Sequence, residues 1–315
     1  MKNVLLASSI LALSAGFASA EITLSGDARM GIIGGSGVDT GFTSRARVKF
    51  TMSGETDGGL TFGASFRADN AKAVSSYELV FIDANANSIV DPGETTLVET
   101  PGSGANTGTA GSVYISGGFG KLTMGDIDGA AQQAVGQVDG VGLTGLGDLN
   151  EIDYYAAGGG TTDPTAAYEY TSGAFTGIVS VTNPDNGNDN WYALGMKYAM
   201  GDYTFALGYE NNMDGINSQI SAGATATFGA VKVKAVYAME DFFGSNYTET
   251  AVSATYTADA LAVTAFYMAY GGAYVSQSSY GLGASYDLGG GAKVVGGYAD
   301  DSYDSAYDLG VSFSF

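Results

Sequence analysis

The sequence predicts an all-β fold, a sixteen-stranded antiparallel β-barrel that crosses a membrane. The composition favours long strands, because the chain holds 49 glycines, 21 tyrosines and 15 phenylalanines but only 4 prolines. Polar and apolar residues alternate along nearly every segment after Glu21. Short turns and longer polar connections also follow one another in order, which is typical of a barrel in a membrane.

Alternation gives each predicted strand one polar and one apolar face. In the segment SRARVKFTMSG (residues 44–54), the polar face holds Arg45, Arg47 and Lys49, and the apolar face holds Ala46, Val48, Phe50 and Met52. The same pattern runs through residues 21–30, 60–69, 202–210, 231–239 and 306–315. The apolar faces combine small residues with aromatic residues near the segment ends, as lipid-facing girdles do. We therefore expect the apolar faces to meet lipid and the polar faces to meet water.

Connections of two kinds separate the predicted strands. Seven short turns are expected at residues 54–59, 118–121, 172–174, 200–202, 228–230, 258–260 and 287–291. Eight longer loops are expected at residues 34–42, 70–110, 129–163, 183–190, 211–215, 241–246, 271–276 and 300–305. Seven turns and eight loops join sixteen strands. A secreted β-sandwich would also alternate, but strands in a membrane must close into a barrel because open edges would leave backbone groups unpaired in lipid.

The first 20 residues predict a secretory signal that precedes the barrel domain. Lys2 is followed by an apolar run over residues 4–17, and residues 18–20 are small, as a cleavage site requires. A membrane anchor is the alternative, but this run is too short to span a bilayer. The barrel is therefore expected over residues 21–315.

Composition excludes several classes of function. The chain has no cysteine and no histidine, which removes disulfides, Ser-His-Asp hydrolysis, Cys-His chemistry and the usual transition-metal sites. Its formal net charge of −21 argues against a nucleic-acid partner, because nucleic-acid binding needs a basic surface. We expect no enzymatic activity and no required cofactor.

One acidic segment, DANANSIVDPGE (residues 83–94), is patterned like a calcium-binding loop. Positions 1, 3, 5, 9 and 12 of such a loop are occupied by Asp83, Asn85, Asn87, Asp91 and Glu94. Ser88 stands where these loops have glycine, and no helices are expected to flank the segment. The segment therefore predicts either a weak calcium site or a polar tip of a hairpin.

The segment GVGLTG (residues 140–145) fits the GxGxxG pattern of dinucleotide-binding turns. No predicted strand precedes it and no predicted helix follows it, so the context of a nucleotide site is missing. We interpret its glycines as a source of loop flexibility.

Six segments carry a resemblance to a known family: LSGDARMG (24–31), SRARVKFTMSG (44–54), LTFGASF (60–66), GKLTMGD (120–126), YGLGASYDLGGG (280–291) and DLGVSFSF (308–315). Together they resemble the alphaproteobacterial general porins of the outer membrane, notably those of Rhodobacter. The resemblance implies a sixteen-stranded barrel that forms a homotrimer, with a third outer loop folded into the lumen to narrow the pore. It also implies that barrel-assembly machinery reads the terminal aromatic residue, here Phe315. The second loop, residues 70–110, is long for this resemblance.

Basic residues near the N-terminus are predicted to form one cluster in the lumen. All four arginines of the chain fall on polar faces, namely Arg29, Arg45, Arg47 and Arg67. The resemblance implies a cluster of basic residues on the barrel wall at these positions. Lys49 joins the cluster from the alternation alone. An arginine that faced lipid would cost roughly 2–4 kcal/mol near the midplane, which favours the lumen orientation.

Residues 129–163 match, in length and position, the constriction loop that the resemblance implies. This segment carries Asp139, Asp148, Glu151 and Asp153. An acidic loop opposite a basic wall would create a transverse electric field across the narrowest part of the pore. The alternative is that these acids only solvate an outer loop.

These features predict a general diffusion channel in the outer membrane of a Gram-negative cell. Ions and small hydrophilic solutes would pass down their gradients, with a modest preference for cations because the loops are acidic. A channel selective for one class of solute is the alternative, and a barrel that serves only as an adhesin or wall anchor is a third. A sixteen-stranded barrel encloses an open lumen, which argues against the third.

Overall fold

The computed structural model of the protein describes residues 20–69, 76–81, 95–100, 107–108, 111–156, 164–183, 190–213, 215–272 and 276–315. The predicted signal segment lies outside the described residues except for Ala20, and so does much of the predicted loop 70–110. No helix among the described residues is long and apolar enough to cross a membrane.

Strands dominate the described chain. They are β1 (Glu21–Gly35), β2 (Val38–Glu55), β3 (Thr61–Asp69), β4 (Ser76–Phe81), β5 (Thr95–Thr100), β6 (Thr107–Gly108), β7 (Ser112–Gly117), β8 (Gly120–Gly125), β9 (Thr165–Ser172), β10 (Phe175–Thr182), β11 (Trp191–Met200), β12 (Tyr203–Asn212), β13 (Asn217–Phe228), β14 (Val231–Phe242), β15 (Ser245–Ala258), β16 (Leu261–Gly272), β17 (Ser276–Gly289), β18 (Ala292–Asp300) and β19 (Ser305–Ser314). A short helix, α1 (Ala130–Val135), follows β8.

The main sheet closes on itself. β1 pairs antiparallel with both β2 and β19, and the strands between them pair in chain order. This sheet has 17 strand segments, but β6 and β7 both pair with β3 and share one position, which leaves sixteen positions around the ring. β4 and β5 form a separate hairpin. The prediction of a sixteen-stranded antiparallel barrel is therefore confirmed.

Two predicted loops are wrong, although each of the seven predicted short turns does separate two consecutive barrel strands. Residues 34–42 contain only a two-residue turn, Ser36–Gly37, between β1 and β2, and residues 241–246 contain only Phe243–Gly244 between β14 and β15. The glycines of these turns have φ of 69° and 77°, the left-handed conformation that tight hairpins require. The neighbouring polar residues pair as strand residues, so polarity alone overestimates the loop length.

The two faces of the sheet differ as the alternation predicts. Along β14, Tyr237 and Met239 are exposed, whereas Val236, Ala238 and Glu240 beside them are buried. Large apolar side chains are exposed in the same way on strands all around the ring. An apolar band of this extent suits lipid and not water, so this face is the exterior of the barrel.

Tyrosine is unevenly distributed over the exterior. Strands β9–β19 expose tyrosines near both strand ends, including Tyr170, Tyr192, Tyr198, Tyr286 and Tyr298. The described exterior of β1–β3, β7 and β8 exposes aliphatic residues, methionine and phenylalanine but no tyrosine. Tyrosine anchors a membrane protein at the lipid–water interfaces. The exterior of β9–β19 therefore carries such anchors, and the described exterior of β1–β3, β7 and β8 does not.

Residues 126–156, which we call the docked loop, pack against the face opposite the exterior. A buried cluster joins its side chains to those of the strands: Val135, Val138, Val141, Leu146, Ile152, Val236, Ala238, Ala251, Phe266 and Ala299. α1 contacts β10–β13. Because one segment touches strands from β10 to β18, it follows the inner wall around about half of the ring. These contacts agree with the inward-folded third loop that the resemblance implies.

Glycines on the strands let the docked loop approach closely. A Cβ atom on Gly297 would lie 2.6 Å from the backbone nitrogen of Gly142, and one on Gly283 would lie 2.8 Å from the Cβ of Val141. Gly142 has φ of 86°, which other residues rarely adopt. Residues 140–145 are therefore held against the wall by close packing, and their interpretation as a flexible loop is wrong.

Candidate pore constriction

The five predicted cations lie on the inner face of three neighbouring strands, β1, β2 and β3. We call them the arginine belt: Arg29, Arg45, Arg47, Lys49 and Arg67. The antiparallel register places Arg29 across from Arg45, and Lys49 across from Arg67. Each residue alternates with apolar neighbours, so the same sequence pattern that builds the lipid face brings the cations together.

Two aspartates on the same face partly neutralise the arginine belt. Arg45 forms an ion pair with Asp27 at 3.0 Å, while Arg47 and Arg67 both pair with Asp69, at 3.3 and 2.6 Å. These ion pairs hold guanidinium groups in place that would otherwise repel one another. Sequence reasoning missed both aspartates as site residues, although alternation places each on a polar face two residues from a belt arginine.

Asp308 on β19 holds the tip of the docked loop beside the belt. Its side chain is buried, and its carboxylate accepts hydrogen bonds from the backbone N–H of Leu143 at 2.8 Å and of Thr144 at 2.6 Å. The Thr144 hydroxyl donates a third hydrogen bond at 2.8 Å. Arg29 donates to the Leu143 carbonyl at 3.1 Å. One carboxylate of the wall and one guanidinium of the belt thus position the tip.

Three buried glutamates of the wall hold the later part of the docked loop. Glu249 accepts from the backbone N–H of Asp153, and Glu210 from that of Tyr155, both at 2.8 Å. The Tyr155 hydroxyl donates to Glu240 at 2.7 Å. Burial and this hydrogen bond raise the pKa of the Tyr155 phenol, so it remains a donor at neutral pH. Sequence reasoning missed these glutamates; their signal is a carboxylate on the inner face of a strand.

The predicted constriction acids fall into two groups. Asp139 forms an ion pair with Lys232 on β14 at 2.7 Å and accepts from the Thr255 hydroxyl at 3.1 Å. Its charge is therefore neutralised at a wall position away from the arginine belt. The other three side chains belong to exposed residues: Asp148, Glu151 and Asp153. Among the residues that the structure describes, no ion pair joins the docked loop to the belt.

The predicted calcium ligands lie outside the described residues: Asp83, Asn85, Asn87, Asp91 and Glu94. Within the part of the chain that the structure describes, no group of three or more Asp or Glu side chains is placed to hold a metal ion. Three of the buried wall carboxylates, those of Glu210, Glu249 and Asp308, instead accept backbone N–H donors of the docked loop.

The chain is similar to known proteins in sequence and in fold. The sequence profile of a family described as Gram-negative porin matches residues 7–306. A porin of Rhodobacter capsulatus is 38% identical over 342 positions, which cover 94% of this chain and 100% of that protein. A porin structure refined at 1.8 Å resolution has a TM-score of 0.73 and 34% identity, covering 94% of this chain and 100% of that one. A mutant porin of Rh. blastica, 20% identical with a TM-score of 0.69 over 94% of this chain and 100% of that one, supports the fold alone. The chain belongs to the Gram-negative porin family.

Proposed function

We propose that the protein is a general diffusion porin, which lets water, ions and small hydrophilic solutes cross the outer membrane. The closed sixteen-stranded barrel with an apolar exterior and a charged inner face carries this proposal. A barrel of this strand number is wide enough for an aqueous channel. Diffusion down a gradient needs no catalytic group, and the inner wall supplies only charge and hydrogen bonds.

The docked loop and the arginine belt would form the narrowest part of this channel. The bond from Arg29 to Leu143 brings the loop tip to the belt, and the exposed acids Asp148, Glu151 and Asp153 follow that tip in the chain. Opposite charges on the two sides of an aperture create a transverse field, which favours small polar solutes over apolar ones. The net charge of −21 would enrich cations at the mouth, while the belt keeps the resulting preference modest.

A channel selective for one solute class is the second candidate function. A path for sugars would present a ladder of aromatic side chains to the lumen. The described tyrosines of β9–β19 are instead mostly on the exterior, for example Tyr192, Tyr280 and Tyr298. General diffusion is therefore the better supported function.

Planar-bilayer conductance combined with a liposome-swelling series tests the proposed function. We expect stepwise conductance increases in the bilayer and swelling rates that fall smoothly with the size of a neutral solute. Heat-unfolded protein serves as the control. A folded protein without conductance would refute the channel, and one sugar entering much faster than its isomers would favour the selective alternative.

We expect the protein to assemble as a homotrimer, as its family resemblance implies. The missing tyrosines on the described exterior of β1–β3, β7 and β8 support this, because a wall that faces protein needs no anchors at the lipid–water interfaces. Unheated protein should migrate as a species about three times the monomer mass, and gentle crosslinking should yield dimers and trimers. Migration as a monomer with no crosslinked product would argue against assembly.

We also propose that Asp83, Asn85, Asn87, Asp91 and Glu94 bind calcium weakly on the outer side of the membrane. Extracellular sites of this kind have dissociation constants of about 10⁻⁴–10⁻³ M. Calorimetric titration of the parent protein should show calcium binding that Glu94→Gln removes, because position 12 normally supplies two ligand oxygens. If titration of the parent protein shows no heat of calcium binding, the proposed site is refuted.

Phe315 is proposed as the residue that barrel-assembly machinery reads. Its backbone pairs with Gly26 through hydrogen bonds of 2.9 and 3.2 Å, and the residue is 80% exposed at the end of β19. Deleting Phe315 should therefore lower the amount of assembled protein in outer-membrane fractions more than it destabilises protein refolded in detergent. Equal yields with and without Phe315 would show that its ring is not recognised.

A further inference from the structure

A second group of cations lies across the ring from the arginine belt. Lys197 on β11 and the pair Lys232 and Lys234 on β14 fall on the inner face, because they alternate with exterior residues. In the closed strand order, β13 is opposite β2, with β14 next to it and β11 two positions away on its other side. All three residues lie within a few positions of the short turns that end these strands. We call them the lysine cluster.

The lysine cluster carries more positive charge than its neighbours balance. Lys232 is paired with Asp139 at 2.7 Å, but Lys197 and Lys234 have no ion pair or hydrogen bond to any residue that the structure describes. Lys232 and Lys197 both repel Lys234, whereas Asp139 attracts it. Among the residues with a described position, three ammonium groups thus face one carboxylate, which leaves two positive charges unbalanced.

The end of α1 does not supply the missing negative charge. The Nζ of Lys234 lies against Gly136, where a Cβ atom would be 3.1 Å from it. The Gly136 carbonyl accepts a hydrogen bond from the Tyr154 hydroxyl at 3.2 Å, and within the described part of the chain Lys234 donates none to the carbonyls of α1. On the neighbouring strand, Thr225 lies directly across from Lys234 and provides a hydroxyl on the same face. The cluster therefore presents donors and positive charge beneath the docked loop, with few acceptors.

We propose that the lysine cluster is a binding subsite for a small inorganic oxyanion, such as hydrogenphosphate. Ammonium groups bind phosphate oxygens as point charges, and a hydroxyl can donate to a further oxygen. Lys232 keeps its side chain 45% exposed, so an ion in the lumen can reach the cluster from the short-turn side. The subsite rests on the proposed channel function. It would bind anions transiently in the lumen of a protein whose net charge otherwise repels them.

Single-channel recording with inorganic phosphate tests the subsite. In potassium chloride, added phosphate should lower the chloride conductance of the parent protein to a plateau, with a stronger effect from the short-turn side. Lys197→Gln with Lys234→Gln should raise the half-effective phosphate concentration about tenfold, a change of about 1.4 kcal/mol in binding free energy. Lys234→Arg should keep most of the effect, because it keeps the positive charge.

Matched charge removal elsewhere on the wall provides the control. Lys121→Gln with Lys293→Gln removes two inner-face lysines near other short turns and should leave the phosphate effect unchanged. The subsite is refuted if a conducting parent shows no saturable phosphate effect, or if both double variants shift it equally. It is also refuted if only arginine-belt variants abolish the effect. Loss of all conductance in the folded parent would instead refute the channel function itself.

Discussion

Replacing Arg45 and Arg47 by glutamine should raise the cation preference of the pore severalfold. A unit charge about 8 Å from a permeating ion contributes about 0.5 kcal/mol even in water, and the two changes add. The substitutions also release Asp27 from its 3.0 Å ion pair, which exposes a negative charge to the lumen. Asp69 remains paired with Arg67 at 2.6 Å, so the rest of the belt should keep its geometry.

Reversal potentials in a salt gradient measure this effect. The dilute side should be near 0.1 M, where the screening length is about 10 Å and charges of the wall still act on ions. Lys121→Gln removes a lumen charge whose register row on β2 ends at Glu55, eight residues from Arg47, and is the control for net charge. An unchanged or lower cation preference in the double variant would show that Arg45 and Arg47 do not line the aperture.

An arginine introduced on the exterior face of β2 should instead impair assembly of the barrel. Val48 lies between Arg47 and Lys49 and is exposed on the exterior. Val48→Arg should cost roughly 2–4 kcal/mol if the position is near the middle of the bilayer, and should lower the yield of assembled barrel. The arginine-to-glutamine variants should assemble normally, because lumen substitutions alter selectivity rather than the fit to lipid. Normal assembly of Val48→Arg would contradict the assignment of the two faces.

Asp308→Asn should loosen the tip of the docked loop and widen the pore. The carboxylate accepts three hydrogen bonds, whereas an amide has only one oxygen and turns an N–H₂ group toward the remaining donors. A buried donor left without a partner costs about 1–3 kcal/mol. The tip near Leu143 and Thr144 should therefore leave the wall part of the time, while the glutamate contacts keep the later part of the loop in place.

Liposome swelling with neutral sugars separates this widening from an effect of charge. Large sugars should enter faster through Asp308→Asn than through the parent channel, and the open-channel current should be noisier. Asp304→Asn is the matched control, since Asp304 lies in the exposed turn before β19 and makes the same change in net charge. Equal sugar exclusion by parent and Asp308→Asn would mean that the carboxylate does not position the loop.

Local rules were enough to predict the barrel wall. A strand repeats every two residues, so the identity of each residue assigns it to lipid or lumen without any knowledge of its neighbours in space. This is why the five belt cations could be grouped from residues 21–69 alone, and why the strand number followed from counting connections. The same rule places Asp27 and Asp69 on the inner face. Their role as counterions, however, depends on the register between strands, which alternation does not specify.

The contacts of the docked loop could not be predicted from alternation along the strands. Its acidic composition predicted a partner for the arginine belt, yet Asp139 pairs with Lys232, and the loop meets the belt through the carbonyl of Leu143. Its anchors are backbone N–H groups, which every residue except proline carries and which no sequence pattern reveals. Their acceptors, such as Glu249 and Asp308, come from strands far along the chain.

The sequence by itself determined which side chains face lipid, how many strands close the barrel, and which cations share the lumen, because strand geometry repeats with a fixed period. Only the tertiary structure decided which of those charges are neutralised and what holds the docked loop. Ion pairs and hydrogen bonds form over about 3 Å, so they depend on the register between strands and on the path of the loop. Amino-acid composition predicts neither the register between strands nor the path of the loop. The lengths of the turns at Ser36–Gly37 and Phe243–Gly244 were likewise decided by strand pairing.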